Sequence, residues 1–343
     1  MKLALGFINY NQASSRYLNY FLPSLKEALS FANLDDSLIL SFNNSFEEDG
    51  RRSDENLNNL IISQFIADNP ELNIEVMEFG SNLGFSVAYN KMIDRAVENE
   101  CKYFLVINPD TFLAEDSIVE MIKSLESNDD ISSVSPKVLV WDFKKNDFLS
   151  KIDTLGIAIK DNLNFIDIAQ GEDDRDNQVL RNKFKGQIIG PSGAAGMYKL
   201  SALKKVSYLK ENRNIYFDEN FFMYKEDCDL AYRLFLAGFK SDYSLNSLIF
   251  HDRSLGNGQL NMLKKIVDRR KKSKRSRSYS FVNQHLIFIK YFNKLSFKAK
   301  IKILIKILNL FVFSLIFEQF NLKYYKEIIK KGSIIRKQRI ALD

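Results

Sequence analysis

Apolar residues arrive in short bursts over the first 140 positions, and stretches of helical period separate them. The bursts "KLALGFINYN", "DSLILSFNN", "NIEVMEFG", "KYFLVINPD" and "ISSVSPKVLVW" read as strands. Between them, residues 16–32, 56–68, 85–99 and 117–126 carry the spacing of amphipathic helices. Strands alternating with helices predict an α/β fold, a mostly parallel Rossmann-like central sheet flanked by helices. Such sheets bind ligands beyond the carboxyl ends of their strands. Four polar turns fall at those ends here, over residues 9–11, 42–45, 81–82 and 108–110.

Past residue 142 the pattern loosens. Residues 142–186 are polar and irregular, with a charged "GEDDRD" loop, and read as short strands and a mobile loop over one edge. "DCDLAYRLFLAG" resumes a helical period and stops at Gly238, and "DYSLNSLIFH" reads as a further strand ending at His251. Beyond it the chain turns basic and then apolar, mainly helical over 281–320.

Charge sharpens this division. Residues 260–343 hold 22 Lys or Arg against 4 Asp or Glu, a net +18, whereas residues 1–259 carry −12. The expected organisation is therefore a domain over 1–255, in halves 1–140 and 141–255, and a basic helical extension over 256–343. Such a tail seeks an anionic surface. Two cysteines, Cys101 and Cys228, exclude a disulfide framework or a thiolate metal site, and the short apolar start reads as a strand rather than a secretory signal. The expected location is cytoplasmic.

Two groups of residues carry chemistry. Asn108, Pro109 and Asp110 close a buried strand; alone they are an ordinary turn. Glu226, Asp227 and Asp229 open a helix, where carboxylates cap free N–H groups, yet three acids in four positions exceed what one cap requires. Taken in order, Asn82-Leu83-Gly84-Phe85 with Asn90, then Asn108-Pro109-Asp110, then Phe217-Asp218-Glu219, Phe222-Met223-Tyr224 and Glu226-Asp227-Cys228-Asp229-Leu230 resemble the family 2 inverting glycosyltransferases of the GT-A fold. The likeness is greatest to the rhamnosyltransferase-like branch that builds bacterial surface polysaccharides, and it extends over residues 3–251.

The resemblance implies a role for each matching position. Ile8, Asn9, Tyr10 and Asn11 would meet the nucleotide base, as would Phe42 and Asn43. Asn82, Gly84 and Asn90 would hold the nucleoside, with Asn108 and Pro109 beside the ribose. Asp110 would take a divalent ion, Mn²⁺ or Mg²⁺, with His251 completing the site. Asp227 would be the catalytic base, and Ser192, Gly193 and Glu226 would face the sugar or acceptor. Phe42 stands where the family usually has Asp, which leaves the base open, and Asn108 replaces the first acid of an Asp-x-Asp motif. The implied partners are a nucleotide-sugar donor, dTDP-rhamnose or a UDP-sugar, and a saccharide or lipid-linked acceptor.

In the tail, Lys294, Lys298, Lys302 and Lys306 recur every fourth residue beside large aliphatics. The longest uncharged run, 307–317, is too short to span a bilayer. Residues 264–320 are thus expected to lie on a membrane surface at the inner face of the plasma membrane; a packed core helix or a homodimer contact is the alternative. A sugar nucleotidyltransferase would need a Gly-rich phosphate loop that "FINYNQASSR" lacks. A nucleic-acid binder using the basic run 269–277 would leave the acidic front region without a purpose.

Overall fold

In the computed structural model, which describes residues 2–45, 57–160, 163–252 and 273–340, the chain builds a curled nine-stranded sheet. Its first block is wholly parallel: β1 (Leu3–Asn9) lies between β2 (Leu38–Asn43) and β4 (Tyr103–Ile107), with β3 (Asn73–Glu78) at the edge. α1 (Asn11–Phe31), α2 (Leu57–Asp68) and α3 (Gly84–Glu98) make the crossovers. Leu3, Leu5 and Phe7 pack toward α1, while Ala4 faces α3 in a second core. Both faces of β1 are covered, which is why its sequence is a continuous apolar run.

Beyond β4 the sheet is mixed. β11 (Ala195–Lys199) runs antiparallel to β4 and to β6 (Ile131–Asp142); β14 (Lys240–His251) lies parallel to β6 and antiparallel to the short β5 (Thr111–Leu113) at the far edge. The chain thus leaves β4 at Ile107, crosses the sheet and rejoins it opposite His251. That jump is made by Asn108-Pro109-Asp110. α4 (Ser117–Glu126) covers β6 and β14, with the bounds the sequence suggests.

Two elements differ from their expected bounds. α1 begins at Asn11, five residues before the apolar spacing becomes regular, because its first turn is polar and the Ser14 hydroxyl accepts from Tyr10 N–H. The region 142–186 contains β7 (Asp147–Thr154), β8 (Ile157–Lys160), β9 (Asn164–Asp167) and an unexpected helix, α5 (Asn177–Phe184). Its acidic loop is tied down: Asp173 pairs with Lys151, Asp174 with Lys137 and Glu172 with Lys183, and Asp176 caps α5. The expected division at residue 255 and the basic residues 269–272 lie outside the described residues.

Toward its end the chain adds β10 (Ile188–Gly190), α6 (Leu200–Val206), the hairpin β12 (Tyr208–Lys210) and β13 (Arg213–Ile215), and α7 (Glu226–Leu236). Among the described residues three α-helices follow β14: α8 (Lys274–Tyr291), α9 (Phe297–Phe317) and α10 (Tyr325–Ile340). α8 does not stand apart. Its Phe281, Leu286 and Phe288 share a buried cluster with Phe221, Cys228, Ala231 and Tyr232 around α7.

Beside that cluster lies a fully buried group of charges. Lys290 on α8 places its ammonium 2.7 Å from Asp218 and 2.6 Å from Asp229; Asp229 is also 2.9 Å from Arg233. The Tyr291 hydroxyl donates to Asp229 at 2.7 Å and the Tyr208 hydroxyl to Asp218 at 3.1 Å. Two cations meet two carboxylates, so the group is balanced and hydrogen-bonded, the condition under which buried charge is tolerated. Burial pushes the Asp218 carboxyl up, but Lys290 and the Asn220 donors outweigh it and bring it from 3.8 to about 2.

Because that value is depressed in the folded state, the stabilisation is complete above 3.8 and is lost as pH falls through about 2. Lys290→Met leaves two carboxylates against one cation and is expected to cost about 3–5 kcal/mol in urea unfolding at neutral pH. It should also move the onset of acid unfolding to higher pH. A variant as stable as the parent would show that the cluster contributes nothing net.

Candidate functional site

The jump from β4 to β5 sets one side of the site. Asn108 N–H donates to Ala194 O at 2.9 Å, Thr111 Oγ1 donates to Asn108 O at 2.7 Å, and Asp252 N–H donates to Asp110 O at 3.0 Å. The turn is therefore held at both ends, with Pro109 buried between. Asp110 Oδ1 is buried and has no hydrogen-bond partner among the described residues; His251 Nε2 lies 3.4 Å from it. On the ring's other side, His251 Nδ1 is 2.9 Å from the fully buried Asp153. Burial opposes protonation of this imidazole, but Asp110 and then Asp153 overcome it and raise its pKa from 6.5 to about 10. Asp153 also orients the ring, since an Nδ1–H donated to a carboxylate leaves Nε2 directed at Asp110. No three His, Cys, Asp or Glu side chains among the described residues form a ready cation cage. Close by, the Tyr17 hydroxyl donates to Asp252 and Arg16 donates to Tyr17.

The turns expected to meet a nucleotide are brought together, chiefly by a residue to which the sequence assigned no role. Asn44 N–H donates to Asn9 O at 2.9 Å; its side chain accepts from Leu83 N–H at 3.0 Å and donates to Gly84 O at 3.2 Å. Asn44 thereby laces the ends of β1 and β2 to the start of α3. Asn82 Oδ1 accepts from Gly84 N–H at 2.9 Å. Gly84 has φ +73°, and a Cβ there would lie 2.5 Å from Phe222 O, so no other residue fits without displacing Phe222. Tyr10 and Asn11 sit at the rim; Asn11 N–H donates to Ser45 Oγ at 3.1 Å, and Ile8 is partly buried beneath.

Several expected nucleotide contacts do not hold as side-chain contacts. Phe42 is fully buried in the core against α3, so its ring cannot stack on a base. Phe79 stacks on it at 5.4 Å, is 44% exposed, and carries the aromatic surface outward, with Lys91 Nζ 4.1 Å from its ring centre. Asn90 is committed to the backbone: its side chain accepts from Tyr216 and Phe217 N–H and donates to Phe217 O at 2.8 Å. It holds the segment leading to α7 rather than a nucleoside. Asn9 donates to Ser41 and Asn43 accepts from Ser45 N–H, both fully buried, so they shape the turn from within.

The carboxylates at the start of α7 complete the site. Asp227 Oδ2 accepts from Gly193 N–H at 3.0 Å and Oδ1 from Cys228 N–H at 2.7 Å. Glu226 points inward; burial first, and the adjacent Asp227 second, hold its carboxyl well above the usual range, and its Oε2 has no partner among the described residues. Ser192 Oγ is likewise buried and unpartnered among them. Ahead of the helix, Tyr224 and Lys225 both have positive φ, 72° and 75°. Non-glycine residues adopt that conformation only when their surroundings enforce it. Asn283 on α8 does so, donating to Met223 O at 2.9 Å and Tyr224 O at 2.7 Å. From the other side Phe85 N–H donates to Phe222 O at 2.8 Å. The carboxylate turn is thus gripped between α3 and α8.

No protein-family model and no curated protein matches the sequence. Solved structures do match in shape. A mannosyltransferase from Pyrobaculum calidifontis, PcManGT in complex with GDP-Man and Mn²⁺, superposes with a TM-score of 0.51 at 10% identity, over 97% of this chain and 75% of that one. GalNAc-T7 with UDP, GalNAc and Mn²⁺ gives a TM-score of 0.53 at 10% identity, over 75% of this chain and 45% of that one. The fold is of the GT-A type. At this identity the likeness concerns the fold, and the chemistry rests on the residues above.

Sequence reasoning missed Asn44, Phe79, Asp153, Asn283 and Lys290. Lys290 had a signal, a lone charge closing the apolar stretch "LIFIK", and such a charge needs a buried partner. Asp153 and Asn283 act across 98 and about 60 positions, beyond the reach of local pattern. Asn283→Ala should free the carbonyls of Met223 and Tyr224 and cost about 1–3 kcal/mol. Proteolysis near residue 224 should rise in the variant, whereas unchanged protection there would show that α8 does not grip the turn.

Proposed function

We propose that this protein is an inverting glycosyltransferase, moving a sugar from a nucleoside-diphosphate sugar to a hydroxyl of a glycan or lipid-linked saccharide in surface-polysaccharide assembly. The observation that carries the reading is Asp227: a carboxylate at a helix N-terminus, held by two backbone N–H groups, in a GT-A fold, facing Gly193, where a side chain would narrow the space. Asp227 would accept the proton of the acceptor hydroxyl as that oxygen bonds to the sugar C1 and the C1–O bond to the diphosphate breaks. One base and no covalent partner mean a single displacement, hence inversion. Glu226, whose carboxyl burial and then Asp227 hold well above the usual range and whose Oε2 has no partner among the described residues, would meet a sugar or acceptor oxygen beside Asp227.

The residues present fit a divalent cation. Asp110 offers a buried oxygen whose nearest neighbour is His251 Nε2 at 3.4 Å, and His251, on giving up its proton to an arriving cation, offers Nε2 with its tautomer set by Asp153. Asp110 and His251 would hold Mn²⁺ or Mg²⁺, with the donor's diphosphate supplying further oxygens. When bound, the ion would neutralise charge on the leaving diphosphate. Tyr10 and Phe79, the exposed rings at the nucleotide end, are the candidates for stacking on the base. The rhamnosyltransferase-like motifs favour dTDP-rhamnose, with UDP-sugars the alternative.

Calorimetry against nucleoside diphosphates and nucleotide sugars, with and without Mn²⁺, tests the reading. Binding of at least one that strengthens with Mn²⁺ is expected, and binding of none overturns it. Asp227→Asn should retain donor binding and lose transfer by about 10²-fold or more; intact transfer would remove Asp227 as the base. Asp153→Asn should weaken the Mn²⁺-dependent part of nucleotide binding about 10–100-fold, and unchanged binding would separate His251 from the metal.

A further inference from the structure

α9 is turned the opposite way from an ordinary surface helix. Its 21 residues, about 30 Å of length, pack inward through Ile303 and Ser314. Outward it shows Phe297, Ile301, Leu304, Leu308, Phe311 and Leu315, with Phe297 77% and Leu308 59% exposed. These positions recur at three- and four-residue spacing and form one apolar stripe along the helix. Lys298 and Lys302 are exposed along its border and Lys306 is half-buried behind them. α9 contains no acidic residue. No helix among the described residues is long and apolar enough to cross a membrane.

We propose that the outward face of α9 is a docking surface for an anionic lipid bilayer, on which the helix lies in the plane of the interface. Charge decides the occupant. A second copy of the chain could cover the apolar stripe, but it would set lysine borders against lysine borders, in a region with 22 basic and 4 acidic residues. An anionic bilayer satisfies both features: the acyl boundary takes the stripe, and the headgroups take the ammonium groups on their flexible stems. The buried side of α9 meets α7 just beyond the carboxylate turn, where Ile303 shares an apolar cluster with Cys228, Ala231 and Tyr232. The docking itself does not rest on the transferase reading, because lipid partition is measured without activity.

The test is flotation of the full chain with phosphatidylcholine vesicles and with vesicles containing phosphatidylglycerol, beside sedimentation without lipid. The parent protein should float with the anionic vesicles and less so at high salt. Lys298→Gln and Lys302→Gln should each lower partition on anionic vesicles about fivefold. Leu304→Gln/Leu308→Gln, at exposed positions that leave the fold intact by its melting temperature, should lower it about tenfold or more. A parent that stays unbound with phosphatidylglycerol vesicles overturns the proposal. So does a lipid-free dimer that Leu304→Gln/Leu308→Gln converts to monomer, which would assign the stripe to a second copy.

Discussion

The contact between Lys290 and the carboxylates Asp218 and Asp229 holds the rest of the structure in register. Asp218 precedes the aromatic turn of Phe221 and Phe222, and Asp229 lies within the first turn of α7. One ammonium therefore fixes both ends of the segment that carries Glu226 and Asp227. Unpaired, either carboxylate would have to be neutralised or solvated, and opening the interior to water would undo the apolar cluster that α7 shares with α8. Arg233 completes the arrangement by donating to the carbonyls of Val206 and Tyr216, which ties α6 and the β12–β13 hairpin to the same point.

A second constraint acts at the turns after β1 and β2, where backbone replaces charge. Asn44 joins the ends of β1 and β2 to α3, Asn90 joins α3 to the approach to α7, and Gly84 allows Phe222 to lie against the start of α3. Buried amides suit this work: each offers donors and an acceptor without the desolvation cost of a charge. α3 and the segment leading into α7 therefore meet through short polar contacts laid beside a shared apolar cluster.

Much of this was legible in the sequence. The parallel block follows from the apolar bursts of β1, β2 and β4, and α4 could be bounded to the residue because its apolar spacing is regular from Ser117 to Glu126. Asp110 and His251 adjoin as expected, since both lie at strand ends that the sheet brings together. The failures have a common cause. Phe42 was read as a ligand contact from its place at a strand end, but an aromatic ring there is equally suited to the core, and the face it takes is set by neighbours far along the chain. Asn90 reads the same whether it meets a nucleoside or a carbonyl 127 residues away. α5 escaped notice because its residues are mostly polar and only Leu180 is buried.

The position of Lys290 also bears on how the protein comes into being. It follows Asp218 by 72 residues. At about 5–20 residues per second on the ribosome, several seconds separate the two. Once β14 is made, the nascent chain holds the sheet, both acids and Arg233 but not the ammonium that joins Asp218 to Asp229, so the turn bearing Asp227 lacks its tie to α8. The parallel block can assemble early; the carboxylate turn must wait for α8 to emerge. Synthesis would then deliver a finished carboxylate turn only together with the helices that follow it.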